Sequence, residues 1–295
     1  MTTLRVHHLT RYLYDRPVSF GVHRLMLRPR DGHDMRILES RLTLSPTADV
    51  RWEFDTFGNS VAFAEFHETG SELVVQSDLL LRRFAFDGDP VDMAPRAAPY
   101  PFSYDDEDMI DLAPLLRLQC ENEKGAVGEW LTSVMPEIPD GSIAMLHRLN
   151  EAVHDSFDYR RRDEMGVQTP VETLTTGSGT CRDFAFLFME AARQLGFAAR
   201  FVTGYLYDPA ANPGGDGEPV LSGGGATHAW AETFVPGAGW IEFDPTNSIV
   251  AGNNLVRVAT TRSPAQAQPV RGSFKCDDEV TADLEVVVTV TESAE

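Results

Sequence analysis

The chain has 295 residues, 42% hydrophobic and 24% charged, a soluble globular composition with ample material for a core. Its formal charge of −20 speaks against a nucleic-acid partner, because a phosphate backbone would meet a field of its own sign. No run approaches 18 uninterrupted apolar residues and the opening MTTLRVHHLTRYLYDRP has no signal-peptide core, so the expectation is a cytoplasmic protein without a membrane span. Cys120, Cys181 and Cys276 are too few and too scattered for a disulfide framework or a zinc site, and neither metal nor cofactor is expected.

Residues 1–88 read as strands. RVHHLTRYLY, VHRLMLRP, RILESRLTLSP, VRWEFD, SVAFAEF and SELVVQSDLLLRRFAF alternate in polarity and are separated by turn signals such as Asp31-Gly32 and Phe57-Gly58-Asn59. Short strands without intervening helices predict an antiparallel β-sandwich-like N-terminal domain. Residues 89–112, rich in proline and acid, read as a linker or a draped surface segment. The run Asp105–Asp108 lacks the glycine and spacing of a calcium loop and is taken as solvated.

Residues 113–292 read as a second unit. Helices are predicted over 123–135 and 140–157, the latter with Ile143, Leu146, Leu149, Val153 and Phe157 on one stripe. A helix begins near Cys181, is apolar nearly all round, and stops at Gly196. AARFVTGYLYD, HAWAETFVP and GWIEFDPT follow as strands, with a Gly-rich loop, 208–227, between the first two as a candidate flap or a disordered connector with no role; ADLEVVVTVT ends the unit as one more strand. The fold class is α+β.

The stretch TLTTGSGTCRDFAFLF places Cys181 between a small-residue loop and a helix. A thiol in the first helical turn meets unpaired N–H groups and the positive dipole end, which favour a thiolate. Cys120 and Cys276 sit beside carboxylates and are taken as inert. A thiol nucleophile needs a base and a group to orient it. His228 opens a strand directly after GGGAT, and Asp244 follows beyond a tight turn; both are even-numbered, so an even-sum antiparallel register places them on one sheet face. Tyr159 is a candidate second oxyanion donor. Trp230 and Trp240 are candidate substrate walls, with core packing favoured for both. The triplet Arg160–Arg162 either meets an acidic substrate or neutralises Asp158, Asp163 and Glu164.

GSGTCRDFAFLF, LGFAARFVTGYL, HAWAETFVPGAGWIEFDPT and the N-terminal HHLTRYLYDRPVSFGVHRLMLRPR together resemble the transglutaminase-like superfamily, specifically bacterial members with a β-rich first domain. The resemblance implies a papain/transglutaminase-like core of helices packed on an antiparallel sheet, with Cys181 as nucleophile, His228 as base and acid, and Asp244 as its orienter. Around 259–272, where the family usually carries a Gly-Arg-Asp-Tyr-like run, this chain has Thr261, Arg262, Ser263 and Pro264. The expected chemistry is acyl transfer on a peptide or isopeptide amide through a thioester, with hydrolysis by a protease or amidase preferred. An amine-accepting transglutaminase and a non-catalytic binding scaffold are the alternatives.

Overall fold

The computed structural model describes residues 1–84, 97–162, 166–211 and 221–293. The N-terminal strands are β1 (Thr2–Phe20), β2 (His23–Arg28), β3 (Met35–Ser45), β4 (Ala48–Phe54), β5 (Ser60–Phe66) and β6 (Thr69–Arg83). The middle of the chain forms α1 (Asp106–Leu116), α2 (Lys124–Val134), α3 (Ser142–Ser156), the short β7 (Asp158–Tyr159), α4 (Pro170–Thr176), β8 (Ser178–Gly179) and α5 (Cys181–Gln194). Then come β9 (Ala198–Leu206), β10 (His228–Val235), β11 (Gly239–Asp244), β12 (Ile249–Val250), β13 (Leu255–Thr261), β14 (Val270–Arg271), β15 (Phe274–Lys275) and β16 (Ala282–Glu292).

Two antiparallel sheets make the N-terminal sandwich. One runs β3–β6–β1, with β15 and β16 both on the far side of β1; the other runs β14–β2–β5–β4. Alternation decides which residues face inward: β6 buries Leu73, Val75, Ser77, Leu79 and Leu81. Leu73 and Val75 meet Leu25, Ala62 and Ala64 of the opposite sheet, together with Val18 and Phe20. The central sheet of the second unit runs β12–β11–β10–β9–β13. α5 covers one of its faces, with Phe188 stacked on Phe243 at 5.3 Å and further α5 residues against Ala199, Phe201, Ala229 and Ala231. That explains a helix apolar nearly all round: α3 packs on its other side through Leu146 and Leu149.

The two units share a core. Tyr205, Tyr207, Val256 and Val258 of the second unit pack against Leu4, Val6, Leu79 and Leu81 of the sandwich. Each fully buried side chain of this size contributes about 1.5–3 kcal/mol, enough to dock the units as one body.

One expected boundary is corrected. The C-terminal strands do not belong to the 113–292 unit, because β14 pairs with β2 and β15 with β1. β16 pairs with β1 from Leu4↔Glu292 to Tyr14↔Ala282. The central sheet itself ends at Thr261. An unpaired sheet edge attracts any strand of matching pattern, and nothing local to ADLEVVVTVT reveals which edge is free.

Of the stretch 89–112 the described part is a draped segment rather than a free linker; residues 85–96 lie outside the described residues. Tyr100 stacks on Phe197 at 5.6 Å and Phe102 meets the same ring at 5.1 Å. The Tyr104 hydroxyl donates to the Phe234 carbonyl at 2.7 Å and accepts the Ala198 N–H at 2.9 Å. Three aromatics at alternate positions make this stretch a strap bound to the core. The acidic run is helical: Asp105 caps α1, accepting the Asp108 N–H at 2.8 Å, and Asp106, Glu107 and Asp108 lie in its first turn, where the helix dipole favours them. Among the described residues no helix is long and apolar enough to cross a membrane.

Candidate active site

The start of α5 is held from several sides. Asp183, fully buried, accepts the Thr180 N–H at 2.8 Å and the Thr180 hydroxyl at 2.9 Å. It also accepts the Gln168 N–H at 2.7 Å and two Arg162 bonds at 3.0 and 3.2 Å. One carboxylate thus ties the preceding loop and the segment 162–168 to the helix start. The parallel pairs Asp158↔Ser178 and Tyr159↔Gly179 add a second tie. Gly179 is required there, since a Cβ on it would stand 2.9 Å from that of Asp183. Cys181 is the first helical residue and is 6% exposed.

His228 is the first residue of β10 and Asp244 the last of β11. Their strands pair with Ala231 opposite Phe243, an even-sum register, so both side chains leave the sheet on one face. His228 Nε2 donates to Asp244 Oδ2 at 2.8 Å, with both side chains fully buried. Asp244 accepts two more bonds, from the Thr246 N–H at 3.0 Å and from Asn247 Nδ2 at 2.9 Å. His154 of α3 donates to the Thr246 carbonyl at 3.0 Å and braces this turn.

With Nε2 engaged by Asp244, Nδ1 is the nitrogen left for Cys181. It makes no hydrogen bond of strict geometry, yet the thiol is near enough to act on the ring through both charge and hydrogen bonding. Burial works to lower the pKa of His228, but Asp244 first and Cys181 second outweigh it and push the imidazole up to about 10. Burial works to raise Asp244, but the imidazolium and the Asn247 and Thr246 donors hold its carboxyl below the ordinary value. The arrangement keeps a protonated imidazole beside a sulfur at a helix N-terminus, which is the charge state a thiolate nucleophile needs.

Tyr159 lies at the rim. Burial, with help from the Cys181 and Asp244 charges, pushes its hydroxyl up to about 12, so it keeps its proton as a donor. Trp230 is corrected as a substrate contact: it is fully buried, its ring stacks on His228 at 6.0 Å, and its Nε1 donates to Glu242 at 3.3 Å. Trp240 stacks under Arg200 at 3.9 Å. The arginine triplet divides its work, Arg160 pairing with Asp158 at 3.2 Å and Arg162 with Asp183; residues 163–165 lie outside the described residues. Burial and then Glu123, Glu190 and Glu172 push the Cys120 thiol up to about 11, which leaves it unreactive. Among the described residues no cluster of three or more His, Cys, Asp or Glu is arranged to hold a metal.

Of the candidate flap, residues 212–220 lie outside the described residues. The described residues 221–227 stand over the imidazole: a Cβ on Gly223 would be 2.6 Å from His228 Nδ1, and its φ of +98° favours glycine independently. Sequence reasoning missed Asn247 and Asp183. The signal for the first was its place three residues after Asp244; for the second, its place two residues after Cys181.

Residues 4–82 match the family model described as the bacterial transglutaminase-like N-terminal region, and residues 133–245 match that of the transglutaminase-like superfamily. An uncharacterized protein of Mycobacterium tuberculosis is 30% identical over 93% of this chain and 88% of its own length. The chain belongs to the transglutaminase-like superfamily. A second uncharacterized member, from Mycobacterium leprae, is 24% identical over the full length of both chains. The crystal structure of a protein from Cytophaga hutchinsonii, provisionally named a cysteine protease, superposes with a TM-score of 0.72 over 100% of this chain and 91% of its own. At 17% identity it shows that the whole fold, sandwich included, is shared. Cysteine-dependent chemistry is the general character that superfamily membership supports.

Proposed function

We propose that this transglutaminase-like protein is a cysteine-dependent acyl-transfer enzyme acting on peptide or protein amides, with water as the usual acceptor. The observation that carries the proposal is the buried 2.8 Å bond from His228 Nε2 to Asp244, which leaves Nδ1 for Cys181. In the first step the Cys181 sulfur adds to the amide carbonyl. The oxyanion takes the Cys181 N–H of the helix start and the Tyr159 hydroxyl as donors. His228 gives its proton to the nitrogen, the C–N bond breaks, and the amine leaves behind a thioester. Water then surrenders a proton to His228, attacks the thioester, and releases the acid with the thiol restored.

Hydrolysis is preferred because water needs no binding site of its own to act as the acceptor. Amine transfer would require a site that excludes water while an amine competes. A scaffold role is disfavoured by the buried charges themselves, since an imidazolium–carboxylate pair away from water is costly and a binding surface gains nothing from it. The three free cysteines suit a reducing setting such as the cytoplasm.

The test is alkylation of Cys181 by iodoacetamide across pH, read peptide by peptide by mass spectrometry. Fast labelling at mildly acidic pH that disappears in His228→Ala is expected; labelling no faster than an ordinary thiol would sink the proposal. An activated acyl ester offered with and without a millimolar primary amine then separates the acceptors, and a dominant amine adduct would favour the transglutaminase.

A further inference from the structure

We infer that Asn247 is a positioning residue that latches the loop 221–227 to the catalytic carboxylate, so that access to His228 and the alignment of Asp244 change together. The inference rests on the proposed roles of Cys181, His228 and Asp244. Asn247 uses its whole side chain on two partners. Nδ2 donates to Asp244 Oδ2 at 2.9 Å and to the Ser222 carbonyl at 3.1 Å, while Oδ1 accepts the Ser222 N–H at 2.8 Å. Backbone and amide therefore form a reciprocal pair at Ser222, one residue before the glycine that stands against Nδ1.

Two other ties hold the same loop. The Leu221 N–H donates to Asp208 at 3.0 Å, and the Gly225 carbonyl accepts the Val288 N–H of β16 at 3.0 Å. In this arrangement His228 is 1% and Cys181 6% exposed, and Gly223 stands against the imidazole. Opening the loop breaks the Ser222 pair and frees Asn247 to turn away from Asp244. Closing it restores the donor that steadies the carboxylate as the imidazolium forms. A substrate that lifts the loop thus meets a weaker base than one over which the loop has closed again.

The experiment compares alkylation of Cys181 by iodoacetamide and by the bulky 5-iodoacetamidofluorescein, across pH, in the full chain and in Asn247→Ala and Asp208→Ala. In Asn247→Ala the bulky-to-small rate ratio should rise about tenfold, the population shift that two lost hydrogen bonds of ordinary strength allow. The acid limb of labelling should also move to higher pH, because Asp244, no longer held by Asn247, turns out of line with His228 Nε2 and the imidazolium loses its aligned partner. In Asp208→Ala, which loosens the loop without touching Asp244, the ratio should rise with the limb unmoved. Asn247→Ser serves the same comparison should the alanine variant not fold. An unchanged ratio in the Asn247 variants overturns the latch, and a raised ratio with an unmoved limb overturns its coupling to Asp244. If Cys181 labels slowly in every variant and ignores His228→Ala, the proposed function fails instead, while the size ratio still decides whether Asn247 holds the loop.

Discussion

Two histidines, one between the units and one in the site, are equally hidden from water and have opposite charge preferences. His8 and His228 are each 1% exposed. His8 lies on β1 where the sandwich docks onto the central sheet, with neutral partners: the Tyr205 hydroxyl at 3.0 Å and the Thr10 hydroxyl at 2.9 Å. Burial, with the neighbouring His7, lowers it to about 4. His228 has a carboxylate instead and rises to about 10. Burial alone therefore says nothing about charge; the partner decides, and the low-dielectric surroundings amplify whichever choice it makes.

The strongest way to break this contrast is to make the partner of His228 neutral. Asp244→Asn should slow alkylation of Cys181 at pH 6 on the order of 10²- to 10³-fold, as the imidazole beside the sulfur loses its carboxylate partner. Rate against pH, peptide-resolved, checks it. The same pair has a stability signature. Because the folded pKa of His228 lies above the unfolded 6.5, its contribution is complete below that value and is lost as pH rises through about 10. Thermal melts above pH 8 should therefore fall less steeply in His228→Gln than in the parent.

His8 should show the reverse sign. Its unfolded form takes a proton near pH 6.5 and its folded form only near 4, so stability drains away between those values by about 3 kcal/mol and is level below them. Denaturant midpoints from pH 7 to 4 test this, and a His8→Gln chain that declines just as much would show that other groups carry the loss. The smallest effect is expected at His7, whose charge is a secondary cause of the His8 shift. His7→Gln should raise the His8 midpoint by less than about one unit, measured by imidazole NMR titration.

Much of the site was legible in one dimension. A small-residue loop before Cys181, an apolar helix after it, and a terminating Gly196 mark the turn of the proposed nucleophile by local chemistry alone. The even numbering of His228 and Asp244 narrows their placement to one register class, and the turn over 236–239 supplies that class. The six strands β1 to β6 follow from alternation for the same reason: backbone period and side-chain polarity are local properties. Illegible were the contacts whose partners are distant. Asn247 and Ser222 are 25 residues apart and meet only because β10 and β11 turn back beside the loop. The aromatic strap over 100–104 read as part of a linker or surface segment because its proline and acid are visible in the sequence and Phe197 beneath it is not.

The amino-acid order by itself determined the α+β class, the strands of the sandwich, and which sulfur, imidazole and carboxylate stand at element ends. Tertiary structure alone decided that β16 completes the first sheet rather than the last, that Trp230 supports the imidazole instead of lining a cleft, and that Gly223 covers it. The division has one physical cause. Helix starts, turns and alternation depend on energies within a few residues, whereas edge pairing, burial and protonation depend on what else the folded chain brings alongside.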